Sequence, residues 1–252
     1  MTFPDILLVA AAGLAAGTVN AVAGGGTFFT FAALIAVGLP PVLANATSAV
    51  GVTPANVASA LGYRREIVRH FRRLALLTGV SLAGGGLGAY ALTRIGNEDF
   101  RDLVPWLLLF ATLLFAASPW IAGAARSLSG GDRSPVWRIV GACVQFVTSI
   151  YGGFFGAGMG IMMLAALAIT EGDDYHVNNA AKHLFAFVIQ IIAVVMFVAQ
   201  GMVAWPQAIT IMVAAAIGGW SGVALARRVP AIVIRITVIA TGAFLCAMFF
   251  LR

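Results

Sequence analysis

Asn20-Ala-Val-Ala-Gly-Gly-Gly-Thr27 decides the reading of this chain. It lies inside an apolar run from Ile6 to Gly38 that holds no charged residue. In an uninterrupted helix each of the three consecutive glycines would cost about 1 kcal/mol against alanine. The apolar flanks do not suit a soluble loop. In a membrane the stretch reads as a break, two half-helices meeting at an unwound bend. Such backbone is tolerated at bilayer depth only where it is buried in protein or lines a cavity. The bend is therefore a candidate ligand site. A second cluster, Gly152-Gly-Phe-Phe-Gly-Ala-Gly-Met-Gly160, has a matching place in the second half.

The whole chain supports the membrane setting. Of its 252 residues 61% are hydrophobic and only 10% charged, with a mean hydropathy of +0.99. So few charges cannot cover the surface of a water-soluble domain. The length allows one compact transmembrane unit, residues 1–252. The net charge of +6 comes from basic residues that are expected in short loops between apolar stretches. Orientation by the positive-inside rule explains them, and nucleic acid is not an expected partner. Cys143 and Cys246 are isolated within apolar stretches and read as packing residues, not as a disulfide or metal site. The N-terminus has no basic n-region, so its apolar run is expected to be retained.

Ten apolar segments follow one another: 6–20, 27–38, 45–62, 74–93, 103–123, 136–151, 158–170, 178–201, 206–226 and 232–251. As helices the first two would extend about 22 and 18 Å, against a hydrocarbon core of about 30 Å. They suit a broken or re-entrant hairpin, as do 136–151 and 158–170. The other six are long enough to span.

The order repeats. Gly84, Gly85 and Gly88 match Gly218, Gly219 and Gly222 at an offset of 134, as do Arg94 with Arg228, Arg101 with Arg235 and Asn45-Ala46 with Asn179-Ala180. The bends align at 132, Gly24 with Gly156 and Gly26 with Gly158, which implies a two-residue insertion near Glu171–Asp174. The expected fold is all-α: a polytopic helical membrane protein of two repeats, about 6–123 and 136–251. Each repeat is a hairpin plus three transmembrane helices. An odd number of net crossings inverts the second repeat. Tyr63–Arg73, with five arginines against Glu66, is placed in the cytoplasm, as are Arg227, Arg228 and Arg235. The 94–102 loop falls outside. Inverted repeats with broken helices and a site at their interface are a secondary-transporter architecture. The plainer reading of Gly84–Gly88 and Gly218–Gly222 is close helix packing.

No acidic residue falls in the middle of a span, so neither a cation site nor a carboxylate relay is expected there. The ionisable pair at the start of a span is Lys182-His183, just after Asn178-Asn179. Singly, Lys182 could snorkel to the interface and His183 could be a packing residue. Neutral polar residues surround the bends: Asn20, Thr27, Asn45, Thr47, Ser48, Asn56, Gln145, Asn179 and Gln190. Each alone could cap a freed helix end. Together with helix N-termini near Thr27 and Met159, which favour anions, they point to a small anion.

Gly17-Thr-Val-Asn-Ala-Val-Ala-Gly-Gly-Gly-Thr27, followed by Ala44-Asn-Ala-Thr-Ser48, resembles the N-terminal signature of the TauE/SafE sulfite exporter family. The 152–160 cluster and Asn179-Ala-Ala-Lys182 resemble its second-half counterpart. The resemblance covers nearly the whole chain. It implies a multi-pass inner-membrane permease that exports sulfite or an organosulfonate such as sulfoacetate by alternating access. No cofactor or metal is implied, and the partners are the anion and the lipid bilayer, with a homodimer compatible. The expected substrate-binding residues are Asn20, Gly24, Gly25, Gly26, Thr27, Asn45, Ser48, Gly156, Gly158, Asn179, Lys182 and His183. An anion channel and an uptake permease for another sulfur compound are the alternatives. An enzyme is not expected, since there is no HExxH and no nucleophile with an evident base.

The inverted topology predicts that cysteines at positions 68 and 230 react with an impermeant thiol reagent only from the cytoplasm, and one at 97 only from outside. Labelling of 97 and 230 from the same side would exclude it.

Overall fold

A computed structural model describes residues 1–22, 25–129, 135–170, 175–226 and 231–250. Ten α-helices occupy them: α1 (Phe3–Val22), α2 (Thr27–Ala36), α3 (Pro41–Gly62), α4 (Arg64–Arg94), α5 (Asn97–Ser129), α6 (Pro135–Phe154), α7 (Met159–Thr170), α8 (Tyr175–Ala199), α9 (Trp205–Ala226) and α10 (Ala231–Phe250). No strand occurs among the described residues. Three of these helices carry a stretch long and apolar enough to cross a membrane: Phe3–Asn20, Leu74–Arg94 and Ala180–Ala199.

The ten helices follow the ten apolar segments, and both breaks fall where the glycine clusters placed them. Boundaries differ at several helices: α3 starts at Pro41, and α5 runs from Asn97 to Ser129, so most of the expected 94–102 loop is helix. The first arm of the first hairpin has 20 residues, not 15. Thr2 and Asp5 cap it reciprocally: the Thr2 N–H donates to Asp5 Oδ2 at 2.7 Å and the Asp5 N–H to Thr2 Oγ1 at 3.5 Å. That exchange resembles a capping box and starts the helix at Phe3. The basic stretch after Tyr63 is not a loop but the first turns of the 31-residue α4. Arginine is a good helix former, and Glu66 in the first turn suits the helix N-terminus.

Packing pairs the helices in a regular way. α1 lies against α9 and α6 against α4; α3 lies against α9 and α8 against α4; α3 meets α8 and α5 meets α10. Small residues let these backbones touch. A Cβ on Gly84 would collide with the Phe146 carbonyl, and one on Gly218 with the Leu14 carbonyl. A Cβ on Gly85 would lie 3.0 Å from the Ile189 Cα, and one on Gly219 would lie 3.3 Å from the Ala55 Cβ. These contacts correspond at the offsets of 134 and 132 found in the sequence. A large apolar core, including Phe31, Leu34, Leu92, Phe100, Phe197 and Leu245, fills one end of the bundle. A smaller one around Leu77, Met163, Leu167 and Phe185 lies nearer the start of α4. The central cavity described below opens between them.

Gly88→Val is expected to lower the unfolding temperature of the purified protein, because a side chain there meets the Ile150 carbonyl and the Phe154 N–H group. Overpacking of this kind costs about 1–3 kcal/mol. Gly79→Ala, with nothing within 4 Å of the added Cβ, should leave the temperature unchanged or raise it.

Candidate functional site

Both breaks open onto one cavity of about 50 Å³. A single water needs about 10–15 Å³ by the same measure, so a few waters or one small anion fit. The first break contributes Asn20, Gly25 and Thr27; the second contributes Gly152, Phe155, Gly156, Met159 and Gly160. Ala49, Val52 and Asn56 of α3 form one wall, and Lys182, His183, Ala186 and Gln190 of α8 the other.

The first break is held by Asn20. Its Oδ1 accepts from the N–H groups of Gly25 at 3.0 Å and Gly26 at 2.8 Å. Gly25 has φ 110°, which a side chain rarely adopts. A Cβ on Gly26 would collide with the Ala16 carbonyl, so this glycine lets α1 and the bend touch. Phe28 and Phe29 donate back to the carbonyls of Gly25 and Gly26 and close the first turn of α2. Two N–H groups of the bend are thus committed to Asn20. The Thr27 hydroxyl makes no hydrogen bond among the described residues and faces the cavity.

The second break is held from two sides. The Tyr151 hydroxyl donates to the Ala157 carbonyl at 2.7 Å, and the Tyr151 carbonyl accepts from Phe155 and Gly156. From α3, Asn45 Nδ2 donates to the Phe154 carbonyl at 2.7 Å, a group freed where α6 stops. Gly156 and Gly158 have φ 79° and 78°.

The expected site residues therefore divide. Asn20, Gly25, Thr27, Gly156, Lys182 and His183 come together around the cavity. Asn45 supports the second break from behind. Ser48 hydrogen-bonds Thr30 at 2.6 Å and ties α3 to α2. Gly26 and Gly158 shape the bends without lining the cavity. Gly24 and the Asn179 side chain lie outside the described residues. Tyr151 was missed as a break-holding residue. Its signal in the sequence was a tyrosine immediately before the second glycine cluster.

Electrostatically the cavity has one centre. Lys182 is 3% exposed and makes no hydrogen bond or ion pair among the described residues. None of the lining residues is acidic. His183 is equally buried, and its ring stacks on Tyr63 at 5.3 Å between centroids. The amide of Gln190 is already engaged, donating to the Ala49 carbonyl and joining α8 to α3.

A helical membrane protein with a polar cavity between two helix breaks has the architecture of a transporter. The chain belongs to the sulfite exporter TauE/SafE family, whose profile matches residues 9–249. It is 24% identical over 208 residues to a probable membrane transporter protein of Haemophilus influenzae, covering 82% of this chain and 79% of that one. It is 25% identical over 207 residues to the probable membrane transporter protein YfcA of Escherichia coli K12, covering 82% and 75%. The probable membrane transporter protein ORF9 of a Sinorhizobium species is 23% identical over 183 residues, 73% and 67%.

Asn20→Ala strands two N–H groups at the bend and should destabilise the folded protein by about 1–3 kcal/mol. Asn20→Asp keeps the acceptor and should unfold near the wild-type temperature. It also puts a negative charge on the cavity wall, so anion flux in proteoliposomes should be lost. Flux retained in the stable Asp variant would place the anion elsewhere.

Proposed function

We propose that the protein is a multi-pass permease of the inner (plasma) membrane for small sulfur-containing anions. It exports sulfite or a small organosulfonate by alternating access around the two breaks. The observation that carries this reading is the Lys182 ammonium, buried in a cavity with no acidic lining residue. A buried charge without a partner is costly. An anion entering the cavity supplies that partner in a medium where the attraction is stronger than in water. The Thr27 hydroxyl and the Asn56 amide are the neutral groups placed to complete its shell.

The correspondence of helix contacts at the sequence offsets supports one transporter domain built by duplication. With an odd number of crossings per repeat, the halves are inverted and the site lies at their interface. The apolar core that holds Phe100 and Phe197 lies toward the outside in this topology. The sulfur anion is taken from the family's description; the residues themselves select charge and size. A homodimer is compatible with this reading. A channel using the same donors would show flux that does not saturate and no counter-transport.

Lys182→Met should weaken binding of the tightest-binding anion among sulfite, thiosulfate, sulfate and sulfoacetate at least about tenfold, or 1.4 kcal/mol. Lys182→Arg should keep part of the affinity, since guanidinium preserves charge but not shape. Isothermal titration of folded protein measures both. Unchanged affinity in Lys182→Met would remove this residue from the site.

A further inference from the structure

A second cavity, of about 740 Å³, opens on the outer surface of the α4–α6 pair. Leu76 and Val80 of α4 and Ile139, Cys143 and Val147 of α6 line it. It marks a difference between two corresponding helix pairs. In α1–α9, Gly13 and Ala214 stand where α6 and α4 have Gln145 and Val80, by the offsets of 132 and 134. A Cβ on Gly13 would lie only 3.0 Å from the Ala214 Cβ, so that pair is packed shut. In α4–α6 the glycine contacts at Gly84 and Gly88 hold the helices together further along. Nearer the start of α4, Gln145 stands between them and donates to Ser81 Oγ at 2.9 Å. The groove lies at this level, on the exposed side of the pair.

The face of α4 that lines the groove carries charge nearer its start. Arg69 precedes Leu76 by seven residues and Val80 by eleven, close to two and three turns of α4, so the three share one stripe. Arg69 is exposed, as are Arg64 and Arg65. The apolar span begins at Leu74, which sets Arg69 at headgroup depth and Leu76 and Val80 in the hydrocarbon. In residues 64–73 Glu66 is the single acid beside five arginines.

We propose that the α4–α6 groove binds an anionic phospholipid, with an acyl chain between the helices and the phosphate on Arg69. The surrounding lipid tails are as apolar as the groove, so the chain alone gives no selectivity. The arginines provide it, as basic clusters beside a membrane span do for anionic headgroups.

The test is lipid retention by purified full-length protein after detergent exchange, read by native mass spectrometry with phosphatidylglycerol and phosphatidylcholine. Wild type should retain phosphatidylglycerol several-fold over phosphatidylcholine. Arg69→Gln should abolish the preference. Cys143→Trp, or Val147→Trp should the first not fold, should retain neither, while Leu113→Trp on exposed α5 surface keeps the wild-type pattern. Equal retention of the two lipids by wild type, or full retention by a folded groove-filling variant, would overturn the proposal. Displacement of the lipid by inorganic phosphate would overturn it in favour of a free-phosphate site. Efficient Cys143–Cys143 crosslinking in membranes would overturn it in favour of a second copy of the chain.

Discussion

Unwound backbone in a membrane must find its hydrogen bonds within the protein, because the lipid offers none. Both breaks of this chain meet that constraint with side chains fixed on neighbouring turns or helices. Asn20 takes the two N–H groups of Gly25 and Gly26. Tyr151 and Asn45 hold the Ala157 and Phe154 carbonyls. Once these groups are satisfied, the bends can face a cavity without collapsing. Polar side chains of the cavity wall, Thr27, Asn56 and Lys182 among them, are then available to a ligand. The site depends on this prior satisfaction of backbone more than on any single ligand-facing residue.

Close helix contact is what lets both breaks reach the same cavity. Gly17 and Gly218 bring α1 against α9, Gly219 brings α9 against α3, and Gly84, Gly85, Gly88 and Gly153 bring α4 against α6 and α8. Small residues at such contacts favour association in lipid, where burial of apolar surface gives little drive. The same correspondence makes departures informative. Gly13 packs against Ala214, whereas its counterpart Gln145 sits at the level where the α4–α6 pair carries an apolar surface groove, so the two helix pairs share a scaffold and differ in surface.

Much of the fold was legible because its signals are local. Glycine runs inside apolar segments announced the breaks, and the helix starts at Thr27 and Met159 stand where the sequence placed them. Charged residues misled at the edges. The arginines after Tyr63 looked like a loop because they are polar, yet their helix propensity and the preceding helix carry α4 through them. The site was legible as a set of polar residues near the bends but not as a geometry. Asn45 and Asn56 are both neutral amides near the bends in sequence. Only the fold turns one to a carbonyl behind the break and the other into the cavity. Phe155 and Met159, which wall the cavity, carry no polar signal.

The central claim is that an anion sits between the breaks on Lys182. The most direct measurement is a structure with selenite, a sulfite analogue whose selenium scatters anomalously. The account predicts a selenium peak within hydrogen-bonding reach of Lys182 Nζ, in the cavity that Thr27 and Asn56 line. A peak at the Arg64–Arg69 surface with the cavity empty, under conditions where selenite competes with sulfite for transport, would contradict it.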